Sequence, residues 1–195
     1  MLTIFPPEIF KTIPWKNGLG HTTELAINEG GSLDNFDWRL SIASVVNDGD
    51  FSNFAGYQRN LVLIEGKGLI LDHRNGDIDN LSQLLDIAHF DGGCKTHGKL
   101  VNGGIKDFNI MTNQQRFSAQ VDTYTKSAQV TLTTDVADLI FAYSLSADMT
   151  IKQNAGITQV AQGALVRIEQ QAINNASNIS IHGENMILIQ LSKIK

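Results

Sequence analysis

The sequence has little cysteine and no long apolar run, and each scarcity excludes a class of protein. Among 195 residues there is one cysteine, Cys94, which excludes an internal disulfide and favours a reducing compartment. No run approaches the roughly 20 apolar residues that a membrane-spanning helix needs, and Met1–Glu8 lacks the features of a signal peptide. The net charge of −5 disfavours binding to nucleic-acid phosphates or anionic lipid. We therefore expect a cytoplasmic protein that binds neither nucleic acid nor membrane.

Helical periodicity is also scarce, and the repeating pattern is that of β-strands. Short runs of β-branched, aliphatic and aromatic residues alternate with Gly, Asn and Asp, which favours an all-β sandwich, jelly roll or barrel. The apolar run Met186–Leu191 predicts a strand covered on both faces, Asn75-Gly76 predicts a two-residue hairpin turn, and residues 77–89 fit either a strand or a short helix. The predicted strands are Thr22–Ile27, Phe36–Val46, Leu61–Glu65, Leu69–His73, Ile105–Thr112, Ala119–Thr125, Gln129–Thr134, Leu139–Leu145, Ala164–Glu169, Ile179–His182 and Met186–Leu191.

The two halves of the chain differ in composition. Residues 1–116 contain both tryptophans and four of the five histidines, whereas residues 117–195 are rich in Gln, Asn, Ser and Thr. We therefore expect an N-terminal half, 1–116, that contains any ligand site, and a structural C-terminal half, 117–195.

Two strands of the N-terminal half carry polar residues in alternation. On Phe36–Val45 the residues Arg39 and Ser41 share a face, and on Ile105–Met111 the residues Asp107, Asn109 and Met111 do. If the two polar faces line one barrel mouth, Arg39 and Asp107 pair with each other or hold a ligand together. The alternative is an ordinary two-sided strand with Arg39 in water.

The segment before the first predicted strand is dense in unusual residues. Trp15 offers a broad apolar surface, Asn17 offers hydrogen-bonding groups, and Glu24 projects from the strand that follows. Gly18 and Gly20 permit a positive φ or a close backbone approach. The alternative is a glycine-containing turn that leads into an edge strand.

The sequence gives less support to other chemistry. Arg59 follows a loop, where it could reach an anion, although a salt bridge at the surface is the preferred interpretation. The five histidines form no metal-binding pair, and Cys94 with His97 supplies only two ligands, so we expect neither a metal nor a cofactor. No Gly-x-Ser-x-Gly motif is present and Cys94 has no identifiable base, which favours binding over covalent catalysis.

Four ordered segments of residues 14–112 resemble the HutD/Ves family of bacterial cupin-like proteins. They are Pro14–Gly20 with Thr23–Ala26, Phe36–Ala43, Phe51–Gly66 and Asp107–Thr112. The resemblance implies a bicupin, two fused cupin-like β-barrels in one chain, with a pocket in the N-terminal one. The His-x-His of metal-binding cupins is absent, and Tyr57-Gln58-Arg59 stands near its place, which suits an anionic ligand.

The resemblance further implies a metal-free protein that binds a small carboxylate, such as urocanate or a formylated glutamate, and modulates histidine utilisation. Whether it is an enzyme stays open: a cofactor-independent isomerase or hydrolase with Glu24 or Asp107 as base is one alternative, and a purely structural module is another. A homodimer paired through an edge strand is compatible with such folds. The predicted ligand-binding residues are Trp15, Asn17, Glu24, Arg39, Ser41, Arg59, Asp107, Asn109 and Met111, with no catalytic residue assigned.

Overall fold

The computed structural model describes residues 1–15, 18, 20–133, 135–154, 156–169 and 178–195, and almost all of its regular structure is β. One turn of 3-10 helix spans Pro7–Ile9. No helix in this described part of the chain has the length and apolar character needed to cross a membrane. The strands are β1 (Leu2–Phe5), β2 (Lys11–Pro14), β3 (Gly20–Ile27), β4 (Trp38–Val45), β5 (Gly49–Asp50), β6 (Tyr57–Glu65), β7 (Leu69–Asp72), β8 (Ile78–Leu81), β9 (Ile87–Asp91), β10 (His97–Leu100), β11 (Ile105–Asn113), β12 (Phe117–Tyr124), β13 (Ala128–Thr133), β14 (Leu139–Ser144), β15 (Met149–Gln153), β16 (Gly156–Val160), β17 (Leu165–Glu169), β18 (Asn178–Gly183) and β19 (Met186–Lys193).

The chain forms two compact units, each described here by itself. The central unit comprises Phe10–Ser118 with Ile194–Lys195, and the terminal unit comprises Met1–Ile9 with Ala119–Lys193. The predicted division into 1–116 and 117–195 placed Met1–Ile9 in the N-terminal half, whereas these residues belong to the terminal unit. The first residues belong to the terminal unit because β1 pairs antiparallel with β17, placing Leu2 opposite Ile168.

The central unit contains a six-stranded sheet, in the order β2-β3-β4-β11-β6-β9, and a four-stranded sheet, in the order β5-β10-β7-β8. Alternate residues of the larger sheet, such as Leu61 and Leu63, pack against Leu69, Leu71 and Leu81 of the smaller one. All five are at most 1% exposed. The core of this unit therefore lies between the two sheets, and the residues in phase with Leu61 and Leu63 point inward.

The terminal unit repeats this plan with a five-stranded sheet, in the order β1-β17-β14-β19-β12, and a four-stranded sheet, in the order β13-β18-β15-β16. Its core joins Ile140 and Leu188 of the first sheet to Ile151 and Ile181 of the second. The prediction for Met186–Leu191 is confirmed, because all six residues are buried and β19 lies between β14 and β12. Two units of this kind are the double cupin-like architecture that the resemblance implied, and they agree with the all-β strand pattern.

The predicted strands all overlap observed ones, and the strands that were not predicted are short or polar. The open segment 77–89 contains no helix: it forms β8, a turn in which Leu85 has φ 69°, and β9. A hairpin joins β7 to β8 as Asn75-Gly76 indicated, but its loop is longer than two residues. The His73 amide donates to the Asp77 carbonyl at 3.1 Å, and the positive φ angles fall at Arg74 and Gly76 rather than at Asn75.

Candidate functional site

Strand register in the six-stranded sheet brings the predicted polar residues onto one inward face. In β4 and β11, which are antiparallel neighbours, Arg39 lies opposite Met111, and Ser41 lies opposite Asn109. On the other side of β11, Met111 lies opposite Arg59 of β6. These five residues are each between 2% and 6% exposed. The observed register thus agrees with the predicted shared face of β4 and β11, and it adds β6 to that face.

The predicted pairing of Arg39 with Asp107 is not what the structure shows. Arg39 donates from Nε to Glu24 Oε2 at 2.7 Å, with the Arg39 side chain 8% and the Glu24 side chain 24% exposed. Asp107 lies opposite Ala43, four residues along β4 from Arg39, which is roughly 13 Å at the rise of a strand. An irregularity between Glu24 and Ala26 shifts the β3 register here, and such bulges re-aim side chains.

Arg59 is a buried residue of the barrel interior, so its interpretation as a surface residue after a loop was wrong. The strand β6 begins at Tyr57, and the alternation therefore places Arg59 in phase with Leu61 and Leu63 on the inward face. Arg59 is 5% exposed. Alternation carried two residues further toward the N-terminus would have indicated this position.

Three phenylalanine rings surround the Arg59 guanidinium. Its Cζ lies 5.2 Å from the centroid of Phe51, 5.9 Å from that of Phe54 and 5.2 Å from that of Phe90. Rings at such distances attract the cation through their quadrupoles. The segment between β5 and β6 supplies Phe51 and Phe54, whose amides donate to the carbonyls of Thr96 and Gly92. Sequence reasoning did not associate these rings with Arg59.

A chain of hydrogen bonds runs from Arg59 to a buried carboxyl group. Arg59 Nη2 donates to Asn109 Oδ1 at 2.6 Å, and Asn109 Nδ2 donates to Asp107 Oδ1. Asp107 is 0% exposed. Two atoms at the ends of this chain, Arg59 Nε and Asp107 Oδ2, are buried and have no hydrogen-bond partner among the described residues. We call Glu24, Arg39, Arg59, Asp107 and Asn109 the arginine network.

Burial dominates the electrostatics of the arginine network. It raises the pKa of Asp107 to about 7, against the opposing effects of the positive Arg59 and the Asn109 hydrogen bond. Burial also lowers the pKa of Arg59 to about 10, with Asp107 opposing and Arg39 reinforcing that change. Arg59 is therefore cationic near neutrality, while Asp107 divides between its neutral and charged forms.

The network has a charge that follows from these states. With Glu24 charged and Asp107 neutral, the two guanidinium groups leave a net charge of +1 inside the barrel, and ionisation of Asp107 reduces it to zero. Buried cations without a full complement of partners favour an anion. The network can therefore accept a small anionic group, or use Asp107 to take up and release a proton.

Trp15 is partly buried beside strand β3. Its indole Nε1 donates to Thr22 Oγ1 at 2.8 Å, and its ring packs against the core of the central unit. Gly18 has φ 71°, and a Cβ at Gly20 would meet the Ser44 carbonyl oxygen and lie 2.9 Å from the Trp15 ring. Both glycines thus have the conformational roles expected for them. Asn17 lies outside the described residues.

A cavity of about 550 Å³ lies beside the edge strands β8 and β9, with Phe90 among its lining residues. The Phe90 ring lies 4.6 Å from the His73 ring, and His73 bonds from Nε2 to Asp79 Oδ2 at 3.0 Å. Asp77, Asp79 and Asp91 line the cavity, and no Lys or Arg is among its lining residues. None of the five residues of the arginine network lines this cavity, and its acidic lining disfavours a carboxylate.

The histidines and Cys94 are residues of the types that bind transition metals. Within the described ranges, no group of three His, Cys, Asp or Glu side chains is arranged to hold a metal ion. His73 is buried, and its Nδ1 bonds with Thr96 Oγ1 at 2.9 Å. Sequence spacing gave no sign of this pair, because the two residues meet only when β7 pairs with β10.

Two β-sandwich barrels in one chain, one of them lined with arginines, define the protein as a bicupin. At the level of fold alone, it resembles a cupin 2 conserved barrel domain protein from Leptotrichia buccalis, with 9% identity and a TM-score of 0.54 over 92% of each chain. The family model HutD matches residues 8–189, and the chain therefore belongs to the HutD family.

Individual relatives agree with this assignment. The chain is 33% identical over 152 residues to an uncharacterised 21.2 kDa protein in the hutC 3′ region of Pseudomonas putida, covering 77% of this chain and 78% of that one. It is 36% identical over 108 residues to the protein Ves of Escherichia fergusonii, covering 55% and 56%. The structure of HutD from Pseudomonas fluorescens SBW25, in a formate condition, superimposes with a TM-score of 0.85 at 27% identity over the whole of both chains.

Proposed function

We propose that this protein binds a small carboxylate in the interior of the central unit and thereby modulates histidine utilisation. The observation that carries the proposal is the buried arginine network, in which Arg59 Nε has no partner among the described residues. A carboxylate oxygen that accepts from this N–H would satisfy it with a charge-assisted hydrogen bond. Urocanate and a formylated glutamate are the metabolites to test.

Access is best at the Glu24 end of the network. The Glu24 side chain is 24% exposed, whereas Arg39 and Asp107 are almost completely buried. A ligand carboxylate that enters here meets Arg39 first, and Arg39 then interacts with two carboxylates. Arg59 and Asn109 lie further inside, where they would orient the ligand.

The relatives supply the biological context for the proposal. One lies in the hutC 3′ region of P. putida, and the HutD structure from P. fluorescens was obtained in a formate condition. Formate is the smallest carboxylate, and it can test the arginine network without demanding further space. A regulatory role in histidine utilisation requires that a pathway acid, and not only formate, bind the same residues.

Calorimetry with formate, urocanate and N-formylglutamate tests the proposal at slightly acidic pH, where Asp107 is mostly neutral. Arg59→Met should weaken binding about 10- to 150-fold, as expected for one lost charged hydrogen bond. Arg116→Met is the matched control, because that arginine is 64% exposed and pairs with Asp37 at the surface of the same unit. Equal affinity of the wild type and Arg59→Met would contradict the proposal, and no binding of any acid would favour a structural role.

A second candidate function rests on the unpartnered oxygen of Asp107. A buried carboxyl group with a pKa near 7 suits general acid–base catalysis in a cofactor-independent isomerase or hydrolase. Glu24 suits it less, because its carboxylate already bonds to Arg39. Ultraviolet absorbance of histidine-pathway intermediates incubated with the protein tests this function, and turnover that Asp107→Asn abolishes would support it.

A further inference from the structure

Asp107 has an arrangement that the binding of an anion alone does not explain. Its Oδ1 accepts from Asn109, while its Oδ2 is buried and has no partner among the described residues. The same Asn109 amide accepts from Arg59, whose Nε is the other unpartnered atom. The Asn109 side-chain amide therefore links two residues that each have an unpartnered atom, the acceptor Asp107 Oδ2 and the donor Arg59 Nε.

Arg59 and Asp107 both bond to the Asn109 side chain, so a ligand carboxylate on Arg59 Nε is separated from Asp107 by one amide group. Two ionised carboxylates in contact inside a barrel repel each other strongly, and such pairs hold one proton between them. A shared proton would also satisfy Asp107 Oδ2, because it would form a hydrogen bond from one carboxyl oxygen to the other.

The other charged groups around Asp107 do not remove this repulsion. On the inward face of the six-stranded sheet they are Arg59, Arg39 and Glu24, and Glu24 already bonds to Arg39. Lys11 lies opposite Glu24 on β2, but it is exposed to solvent. The opposing sheet contributes His73 and Asp79, which bond to each other beyond Phe90. The remaining cationic charge balances one carboxylate, so a second one requires a proton.

Building on the proposed function, we propose that the arginine network binds its carboxylate together with one proton, shared between the ligand and Asp107 Oδ2. The proton comes from solvent when the ligand enters and returns to solvent when it leaves, and no covalent bond changes. Binding then depends on pH even for an acid that stays ionised throughout the measured range. This couples occupancy of the site to the pH around the protein.

Calorimetric titration with formate tests the inference, because formate has no group that titrates near neutral pH. We expect the Kd to be constant below about pH 7 and to rise about tenfold per pH unit above it, as for uptake of one proton. Titrations at about pH 8 in two buffers of different ionisation enthalpy should count close to one proton taken up per formate. The proton count uses the wild-type protein, so it can be made even if a variant fails to fold.

Asp107→Asn should bind formate with a Kd that no longer changes across this pH range. Glu65→Gln is the control that should retain the wild-type pH dependence, because Glu65 is an exposed residue of β6 paired with Lys106. Formate binding without proton uptake in the wild type, or an unchanged pH dependence in Asp107→Asn, would overturn the inference and leave the proposed function intact. No carboxylate binding at any pH would overturn both.

Discussion

Replacing Asp107 with asparagine should stabilise the central unit by an amount that grows with pH. The pKa of Asp107 is raised to about 7 in the folded protein because the group is buried, whereas in an unfolded chain an aspartate titrates near 4. A difference of about three pKa units corresponds to about 4 kcal/mol between the two protonation states.

The direction of this pH dependence follows from whether the folded or the unfolded protein binds the Asp107 proton more tightly. The folded protein does, so the stability that protonated Asp107 contributes is fully present below about pH 4 and is lost as the pH rises through about 7. At about pH 5 roughly a third of this stability has been lost, and at about pH 8 the loss is complete. The stability difference between Asp107→Asn and the wild type should therefore increase by about 2–3 kcal/mol between these two pH values.

Urea unfolding followed by tryptophan fluorescence measures this difference. Both tryptophans, Trp15 and Trp38, lie in the central unit, so the signal reports on the unit that contains the substitution. Comparing each variant with the wild type at the same pH removes the contributions of the other titrating groups. Glu65→Gln serves as the control, with no expected pH-dependent difference, since its carboxylate is 63% exposed. Parallel stability profiles for Asp107→Asn and the wild type between pH 5 and 8 would refute the reasoning that burial raises this pKa.

Two other substitutions test the packing of the same unit. Arg59→Met leaves Asp107 without its positive neighbour. In urea titrations the free energy of unfolding should therefore fall by about 3–5 kcal/mol at slightly alkaline pH and by less at acidic pH. An equal loss at both pH values would contradict the role of charge. Gly20→Ala places a methyl group against the Ser44 carbonyl and the Trp15 ring, and a thermal unfolding experiment should show a loss of about 1–3 kcal/mol. Gly49→Ala, which meets nothing within 4 Å, is the matched control, and an equal loss in both would contradict the assigned close approach.

The shared polar face of β4 and β11 could be predicted because side chains alternate along any strand. Alternation groups Arg39 with Ser41 and Asp107 with Asn109, and the register of β4 against β11 places both pairs on one face. The partner of Arg39 could not be predicted in the same way. It depends on the register of β3 against β4, which places Glu24 opposite Ser41 and thus diagonal to Arg39.

Arg59 shows a different limit of sequence reasoning. Its strand begins at Tyr57, where the polar residues look like the end of a loop, and so the arginine was assigned to the surface. The rings of Phe51 and Phe54, which make its burial favourable, come from the loop itself. The position of that loop is fixed only in the folded chain, where the amides of Phe51 and Phe54 donate to the carbonyls of Thr96 and Gly92.

The amino-acid sequence by itself determined that this protein is all-β and which residues of a strand share a face, because alternation of polar and apolar side chains is a local property of each strand. The double cupin-like architecture followed from the resemblance of four segments to the HutD/Ves family. The tertiary structure alone decided which charges meet. Arg39 with Glu24, Arg59 with Asn109, and His73 with Asp79 and Thr96 are contacts fixed by register, bulges and sheet packing. The raised pKa of Asp107 has the same origin, since burial of a carboxyl group is a property of the assembled sheets and not of the strand that carries it.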